Sequence, residues 1–502
     1  MENSLLQLLR QRGPSLSSRL VDDLAAGGVS REAARQRISR SGEPVRRLTR
    51  LGFARNERFV FLAEQSETEP FYRAFLDACD ATNSAYGPVL HVLGARGGIC
   101  LESHFDVLAG CPTARRGQIS LARLKEDLVS VGAVEPALLN GKNAVQVTEK
   151  LFFPNPSLVR ARLVAEGVLL VHVAEWLRRL GMVSWDAFKV RNESELPNFA
   201  GFPFDIVGPS YLRALVTHRP DRLLPGFVAA DVHIGFEMHQ QAMAYFVRKL
   251  QIARSGKNRP AIGILVADTF SPDALKLGRR EGFIVATPEI LFGKDVADAL
   301  RDLVSTLTNI AVAATRDPEV VTNLFERLGR IEGAAANLRG PLFELIVAHL
   351  VATEGGSIFV GRRAFSSGRS AEIDVLRVRA HDVSAYECRG HGPGHEVGIS
   401  SVTKWVSEKV PVMREWLVSS DEIGSRPHVF HYWTTGCFSQ EAVTFLRAFQ
   451  ERTKKFRIEW KDGSDVLAVA RGSASKRIVE TLNEHYLRHP IATSTVTRGP
   501  PL

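Results

Sequence analysis

Short apolar runs alternate with amphipathic segments from about residue 199 onward, and this alternation limits the fold more than any other feature. Between Phe199 and Pro288 the strand-like runs read FAGFPFDIVG, FVAADVHIG, AIGILVAD and FIVATP. Segments of helical length separate them, the longest of which reads FEMHQQAMAYFVRKLQIA. Runs of this kind are typical of a sheet that helices cover on both faces. The pattern therefore predicts an α/β domain.

The same alternation returns in the last third of the chain. A mainly apolar helix, GPLFELIVAHLVATEGG, precedes a two-stranded hairpin in SAEIDVLRVRAHDVSAYECRGHG. The helix ISSVTKWVSEKVPVMREWL, the strand HVFHYWTTG and the helix FSQEAVTFLRAFQERT follow. We expect FRIEW and DVLAVA to close this sheet. Two domains with the same order of elements indicate an internal duplication.

Length and charge restrict the class of protein. A chain of 502 residues is too long for one hydrophobic core and predicts three or four domains. The net charge of +9 suits a polyanionic partner. No run approaches the roughly 20 apolar residues that a membrane helix needs, and the first residues lack a signal peptide, so we expect a cytoplasmic protein without a membrane partner. The five cysteines form no C-x-x-C pair, which predicts reduced structural thiols.

Residues 4–64 follow the order helix, helix, helix and hairpin. Gly27 and Gly28 end the second helix, and Ser30 occupies the N-cap position of the third. A turn at residues 54–57 separates two alternating segments, as in a β-hairpin. The third helix and the hairpin carry the candidate DNA contacts, which are Arg31, Arg35, Arg37, Arg40, Arg55 and Arg58.

This order resembles a winged helix-turn-helix, in which the second helix of the motif enters the major groove and the wing contacts the backbone. The resemblance implies duplex DNA as a partner. A three-helix protein-interaction module with a solvated basic face is the alternative. DNA is favoured because four arginines on one short helix repel each other without an anionic partner.

A second copy of the pattern follows. A helix ends at Gly110, Ser120 caps the next helix, and Asn140-Gly141 marks a hairpin turn. Tandem winged helices are therefore expected. The candidate DNA contacts of this copy are Arg115, Arg116, Arg123 and Lys125, although Glu126 and Asp127 dilute the charge of its helix.

The middle region resembles the core of the PD-(D/E)XK nuclease superfamily in its Mrr-like branch. The resemblance rests on the order of strands and helices and on a closing strand followed by residues 287–289, TPE. It implies that Asp205 is the first acid and that Asp231 and His233 stand where the family has an acid and a lysine. A neutral imidazole does not replace a lysine ammonium, so we interpret this region as a degenerate copy.

The last third resembles the same superfamily, with better-placed acids. Asp374 ends an apolar strand and Glu387 lies on the next strand, where cross-strand neighbours bring both carboxylates to one face. The resemblance implies that these carboxylates and the backbone carbonyl of Cys388 bind Mg²⁺ or Mn²⁺. It also implies that Glu344, on the preceding helix, binds a second ion or a ligating water.

Arg389 stands where the family has its lysine. A guanidinium stays charged and clamps a phosphate, but it does not serve as a base. In some family members the lysine lies on a nearby helix instead, and Lys404 is the candidate here. The alternative is that Lys404 is an ordinary solvated residue of its helix. The glycine-rich loop around His391 and His395 is interpreted as a substrate contact or as having no role, because its spacing does not suit a transition metal.

We therefore predict a multidomain α/β (α+β) chain in which tandem winged helices precede two restriction-endonuclease-like α/β/α cores, the first of them degenerate. The two winged helices are expected to be followed by the degenerate core, the nuclease-like core and a flexible tail. The predicted ranges, in that order, are residues 1–68, 69–154, 155–330, 331–490 and 491–502.

The leading functional hypothesis is a metal-dependent DNA endonuclease, or a nuclease-like effector, of the kind found in restriction and anti-phage defence. This step is an analogy of domain types. Cleavage of both strands by a single site would favour a homodimer. One alternative is a non-catalytic DNA-binding regulator or scaffold with decayed nuclease cores, which Arg389 supports. The other is that the N-terminal modules bind protein partners only.

Overall fold

The computed structural model describes residues 3–48, 50–139, 141–192, 195–219, 222–255, 260–308, 334–473 and 476–487. They form two compact units, of which unit 1 is Met1–Val159 with Val173–Leu291 and unit 2 is Arg160–His172 with Phe292–Leu502. Both units combine helices with several sheets, so the chain is a mixed α/β protein. No helix in the described ranges is long and apolar enough to cross a membrane. The predicted tail, residues 491–502, lies outside the described residues.

Unit 1 begins with a three-stranded antiparallel sheet against three helices. Ser30 accepts a hydrogen bond from the Ala33 N–H, which confirms the predicted N-cap. The sheet order is β1-β3-β2, and the predicted turn lies between β2 and β3. The elements are α1 (Asn3–Arg12), β1 (Ser15–Leu16), α2 (Ser17–Ala26), α3 (Arg31–Arg40), β2 (Val45–Arg47) and β3 (Phe59–Leu62).

The next segment repeats this arrangement after one additional helix. Its order of helix, strand, helix, helix, strand and strand is the same, and its sheet order, β4-β6-β5, corresponds to β1-β3-β2. Ser120 accepts from the Arg123 N–H, so the second predicted N-cap is also confirmed. The elements are α4 (Glu69–Ala81), α5 (Tyr86–Ala95), β4 (Ile99–Leu101), α6 (Glu102–Leu108), α7 (Leu121–Ser130), β5 (Val134–Leu139) and β6 (Lys142–Val147).

The remainder of unit 1 is built on a five-stranded sheet in the order β7-β10-β13-β15-β17. The first two pairings are antiparallel and the last two are parallel. The strands are β7 (Lys189–Val190), β8 (Asn198–Phe199), β9 (Phe202–Pro203), β10 (Ile206–Ser210), β11 (Thr217–Arg219), β12 (Arg222–Leu224), β13 (Gly226–Val232), β14 (Glu237–Met238), β15 (Ala261–Val266), β16 (Thr269–Phe270) and β17 (Ile284–Ala286). The helices are α8 (Pro156–Arg179), whose middle belongs to unit 2, α9 (Gln240–Arg254), α10 (Pro272–Arg280) and α11 (Pro288–Phe292).

Unit 2 has a five-stranded sheet in the order β18-β19-β20-β22-β24. Again the first two pairings are antiparallel and the last two are parallel. The strands are β18 (Ser357–Ser366), β19 (Arg369–Val378), β20 (Val383–Arg389), β21 (Glu396–Val397), β22 (His428–Thr434), β23 (Cys437–Phe438) and β24 (Arg457–Lys461). The helices are α12 (Lys294–Thr308), α13 (Ala334–Ala352), α14 (Ile399–Lys404), α15 (Val410–Val418), α16 (Gln440–Arg452), α17 (Gly463–Gly472) and α18 (Lys476–Leu482).

One prediction for this sheet is wrong. FRIEW forms β24, but DVLAVA, which was expected to be a strand, lies in helix α17. Asp462 caps that helix by accepting from the N–H groups of Ser464 and Asp465. An N-cap of this kind stabilises the first helical turn by satisfying donors that have no partner within the helix, and it outweighs the strand preference of the two valines.

The two five-stranded sheets share their strand order and all their relative strand directions. Each is also accompanied by a two-stranded parallel pair, β14 with β16 in unit 1 and β21 with β23 in unit 2. In both cases the first strand of the pair directly precedes the helix that follows the third strand of the main sheet. Corresponding side chains can therefore be compared between the units.

Candidate active site

Two acidic side chains face each other on neighbouring strands of unit 2. Asp374 lies on β19 and Glu387 on β20, and the antiparallel register that pairs Val375 with Tyr386 brings the two acids opposite each other. Asp374 Oδ2 accepts a hydrogen bond from the Cys388 N–H at 2.7 Å. Both acids are almost fully buried, with 5% and 3% of their surface exposed. The strands thus hold the carboxylates in one place.

Glu387 is held between two cations. The Lys409 Nζ lies 2.6 Å from Oε1 and 2.8 Å from Oε2 of this carboxylate. The Arg389 guanidinium donates to Oε1 from the same strand, two residues further along. Burial raises the pKa of Glu387, and the neighbouring Asp374 raises it further, whereas both cations lower it. The ion pairs therefore compensate part of the cost of burying this acid.

The lysine in this site is Lys409 rather than the predicted Lys404. Lys404 is exposed at the end of α14, whereas Lys409 lies at the end of the π-helical turn Trp405–Lys409 that joins α14 to α15. The side chain that reaches Glu387 lies about one helical turn beyond Lys404. The packing of that helix against the sheet decides which turn faces the acids, and the sequence alone does not display this packing.

Two more carboxylates lie close to Asp374. Burial raises the pKa of Glu344, the predicted helix glutamate on α13, well above its usual value, and Asp374 adds to the increase. Glu372, two residues before Asp374 on the same face of β19, also has a raised pKa because it is buried. The Arg160 guanidinium pairs with Glu372 and donates to the Gly361 carbonyl at 3.0 Å. The spacing of two residues between Glu372 and Asp374 places both on one face of a strand and could have been noticed in the sequence. The pairing of Arg160 with Glu372 could not, because more than 200 residues separate them.

The donors in this site are oxygen atoms, which suit a hard cation such as Mg²⁺. One carboxylate oxygen of Asp374 accepts a hydrogen bond from the Cys388 N–H. The Glu387 carboxylate forms ion pairs with both Lys409 and Arg389. In the described part of the chain, no three or more His, Cys, Asp or Glu side chains form a group that could hold a metal. A cation here would therefore rest on two carboxylates, a backbone carbonyl, and oxygens from water or substrate. The carbonyl role of Cys388 stays a prediction.

The corresponding residues of unit 1 form a closed cluster. Asp205 Oδ2 accepts from the Val232 N–H at 2.8 Å, which matches the bond between Asp374 and Cys388. Lys249, which the sequence analysis did not select, lies 2.6 Å from Asp231 Oδ2. None of Asp205, Asp231, His233 and Lys249 exposes more than 3% of its surface. Burial raises the pKa of Asp231 and lowers that of Lys249.

His233 completes this cluster as a neutral imidazole. Burial lowers its pKa well below the usual value, and the nearby Arg96 lowers it further. Arg96 donates to Nδ1 at 2.7 Å, which leaves Nε2–H to donate to the Tyr245 hydroxyl at 2.6 Å. Arg191 pairs with Asp205 at 2.6 Å and Lys249 donates to the Val107 carbonyl at 3.0 Å. Every charged group in the cluster thus has a protein partner.

The lysines of the two sites occupy comparable positions. Lys249 is the tenth residue of α9 counted from Gln240, and Lys409 is the eleventh counted from Ile399, where α14 begins. A π-helical turn accommodates one additional residue within a helix. The π turn that ends at Lys409 therefore accounts for the difference, and each lysine pairs with the acid of the third strand.

The predicted DNA contacts divide into exposed and internally engaged side chains. Arg31 is exposed but pairs with Asp22 at 2.7 Å. Arg115 donates to the Ile252 carbonyl at 2.7 Å, and Lys125 pairs with Glu102. The side chain of Arg55 lies outside the described residues. Exposed or partly exposed guanidinium groups remain at Arg35, Arg37, Arg40, Arg58, Arg116 and Arg123, of which Arg123 pairs with Asp127.

No protein-family model and no curated protein matches this sequence. Among solved structures, the MspJI restriction endonuclease in complex with a 27-mer oligonucleotide aligns with this chain at 16% identity and a TM-score of 0.19. The alignment covers 34% of this chain and 33% of the MspJI chain. A similarity this low carries no argument about fold or activity, so the function is argued from the site.

Proposed function

We propose that the chain is a DNA-binding, metal-dependent endonuclease or nuclease-like effector whose phosphodiesterase site is in unit 2. The observation that carries this proposal is the convergence of Asp374, Glu387 and Lys409 in one place, where both acids are buried. A buried acid whose pKa is raised, such as Glu387, beside a specific cation is typical of functional sites. We also propose that unit 1 contains winged-helix modules and that each unit contains a restriction-endonuclease-like core.

The proposed roles follow from the contacts. A divalent cation, when bound by Asp374, Glu387 and the Cys388 carbonyl, would polarise the scissile phosphate and acidify a bound water. Glu344 would hold a further ligating water through its carboxylate. Lys409 would hold Glu387 in place and keep a positive charge beside the attacked phosphate. Arg389, whose side chain is 42% exposed, would clamp a phosphate oxygen.

Lys409→Gln is expected to lower the cleavage rate about 100-fold, because oriented charges at a phosphoryl centre contribute about that much. The matched control is Lys404→Gln, which removes the same charge from an exposed position one turn earlier. Plasmid nicking with Mn²⁺ would be followed for wild type and both variants. Equal rates for the two variants would remove Lys409 from the mechanism.

The DNA-binding part of the proposal rests on the exposed arginines of α3. Arg35→Gln combined with Arg40→Gln is expected to weaken duplex binding and to lower its salt dependence by about 0.9 log units for each lost phosphate contact. Fluorescence anisotropy at several salt concentrations measures both quantities, with Arg279→Gln on α10 as the control. Unchanged binding would favour a module that contacts protein partners only.

A non-catalytic DNA-binding regulator or scaffold is the second candidate function. The observation that favours it is that Glu387 already has two cationic partners, which leaves less of its charge for a metal. Calorimetric titration with Mn²⁺ separates the two candidates, because the scaffold predicts no heat of binding in wild type or in Asp374→Asn. Restriction or anti-phage defence, and a homodimer that cuts both strands, would follow only from the catalytic candidate.

A further inference from the structure

A polar cleft in unit 1 lies where its two N-terminal segments meet α9. One cavity of about 400 Å³ is lined by residues from the loop that precedes β3, from the start of α5, from the turn before α7 and by Arg248. A second cavity of about 460 Å³ adjoins it and shares Asn83, Ser84 and Arg248 with it. Each cavity is within the size range of small-ligand sites, which is about 300–1,000 Å³.

Three guanidinium groups line the first cavity, at Arg50, Arg123 and Arg248. The carboxylate of Asp127 is there as well, but its oxygens accept from the Tyr86 hydroxyl at 2.7 Å and from the Arg123 Nε at 2.8 Å. Among the described residues, neither Arg50 nor Arg248 forms an ion pair. The cavity therefore has a positive charge that the protein does not neutralise.

Protein contacts position two of the guanidinium groups at the cavity. The Arg248 guanidinium donates to Gln118 at 3.3 Å and lies beside the Cys111 thiol, while its Nε is buried away from solvent. The Arg123 guanidinium, in addition to its pair with Asp127, donates to the Arg50 carbonyl at 3.3 Å, which ties the loop to α7. An anion in the cavity would pair with Arg50 and Arg248, which have no ionic partner among the described residues.

The second cavity has a different chemistry. Four of its fourteen lining residues carry amide side chains, at Asn83, Gln240, Gln241 and Gln251. Its carboxylates are occupied, because Asp80 lies 2.8 Å from the His91 ring and Glu281 accepts from Gln251 at 2.8 Å and pairs with Arg280. Amide groups donate and accept at once, which is the chemistry that reads the edge of a nucleobase.

The geometry points to a nucleotide site in unit 1, in which Arg50, Arg123 and Arg248 bind a phosphate and the adjoining amide-lined cavity takes the base or sugar. The phosphate belongs either to a free nucleotide or to a strand of DNA that crosses unit 1. This inference goes beyond the proposed nuclease activity, and it does not depend on the acids of unit 2. A failure to bind nucleotides in unit 1 and a failure to cleave DNA in unit 2 can therefore be told apart.

The test uses the full chain in EDTA, so that cleavage does not contribute. Inorganic phosphate and adenosine 5′-monophosphate are titrated by calorimetry, and a short labelled duplex is titrated by fluorescence anisotropy at several salt concentrations. Arg50→Gln with Arg248→Gln is expected to weaken binding at least ten-fold and to lower the salt slope for the duplex by about 1–2 units. The control, Arg73→Gln with Arg213→Gln, removes two exposed arginines of the same unit and should change affinity less than two-fold.

The outcomes are distinct. Weakened binding of the mononucleotide and the duplex assigns the site to free nucleotides, and weakened binding of the duplex alone assigns it to a strand phosphate. Unchanged affinity for all three probes, or equal weakening by the control pair, overturns the inference. Arg50→Gln alone provides a variant that cannot disturb the core, because Arg50 is exposed in a loop. Absence of any nuclease activity would leave these results unaffected.

Discussion

Asp374→Asn is expected to reduce Mg²⁺- or Mn²⁺-dependent cleavage about 10³-fold. The substitution removes the anionic charge that a cation needs and retains an oxygen that can accept from the Cys388 N–H. The lost transition-state stabilisation amounts to several kcal/mol, at about 1.4 kcal/mol for each factor of ten. The measurement is the initial rate of plasmid nicking as a function of Mn²⁺ concentration.

The matched control for this substitution is Asp421→Asn, an exposed aspartate elsewhere in unit 2. It should cleave at the wild-type rate. Thermal unfolding of both variants identifies any loss of folded protein, and rates are compared per folded molecule. Wild-type activity in Asp374→Asn would mean that the nuclease site, if the chain has one, lies elsewhere.

Lys249→Met is expected to lower the free energy of unfolding by about 3–5 kcal/mol, because it leaves Asp231 as a buried charge without its partner. The double variant Asp231→Asn with Lys249→Met should recover much of this loss, since it removes both charges. The denaturation midpoint in urea measures the effect. Lys276→Met, at an exposed position on α10, is the control and should change stability by less than about 0.5 kcal/mol.

Cleavage by unit 2, measured per folded molecule, should be unaffected by Lys249→Met. A loss of cleavage without a loss of stability would contradict the interpretation that the closed cluster is structural. An unchanged denaturation midpoint in Lys249→Met would contradict the expectation that Asp231 destabilises the fold when it is buried without a partner.

The sequence predicted the α/β architecture and the position of the acids, because strand alternation and hairpin register are local properties. Asp374 and Glu387 meet as expected. Lys249 and Lys409 were missed, although Lys249 carried a signal. Lys249 stands in the apolar stripe of α9 beside Phe246 and Leu250, where a charged residue requires a buried partner.

Other features could not be predicted because they depend on long-range packing. Arg160 reaches Glu372 from helix α8, more than 200 residues earlier in the chain. The π turn Trp405–Lys409 has no sequence signature and changes which lysine faces the acids. The helix at DVLAVA, by contrast, begins at a local N-cap, Asp462, which the prediction of a strand did not take into account.

The closed cluster of unit 1 also bears on how the chain can be divided. Arg96 and the Val107 carbonyl, both from the second N-terminal segment, provide partners for His233 and Lys249. A fragment that began after residue 154 would lose these partners and leave Lys249, Asp205 and Asp231 near a newly exposed surface. Replacing the second N-terminal segment by an unrelated domain would therefore remove partners that the sheet domain needs. This segment completes the interior of the sheet domain that follows it.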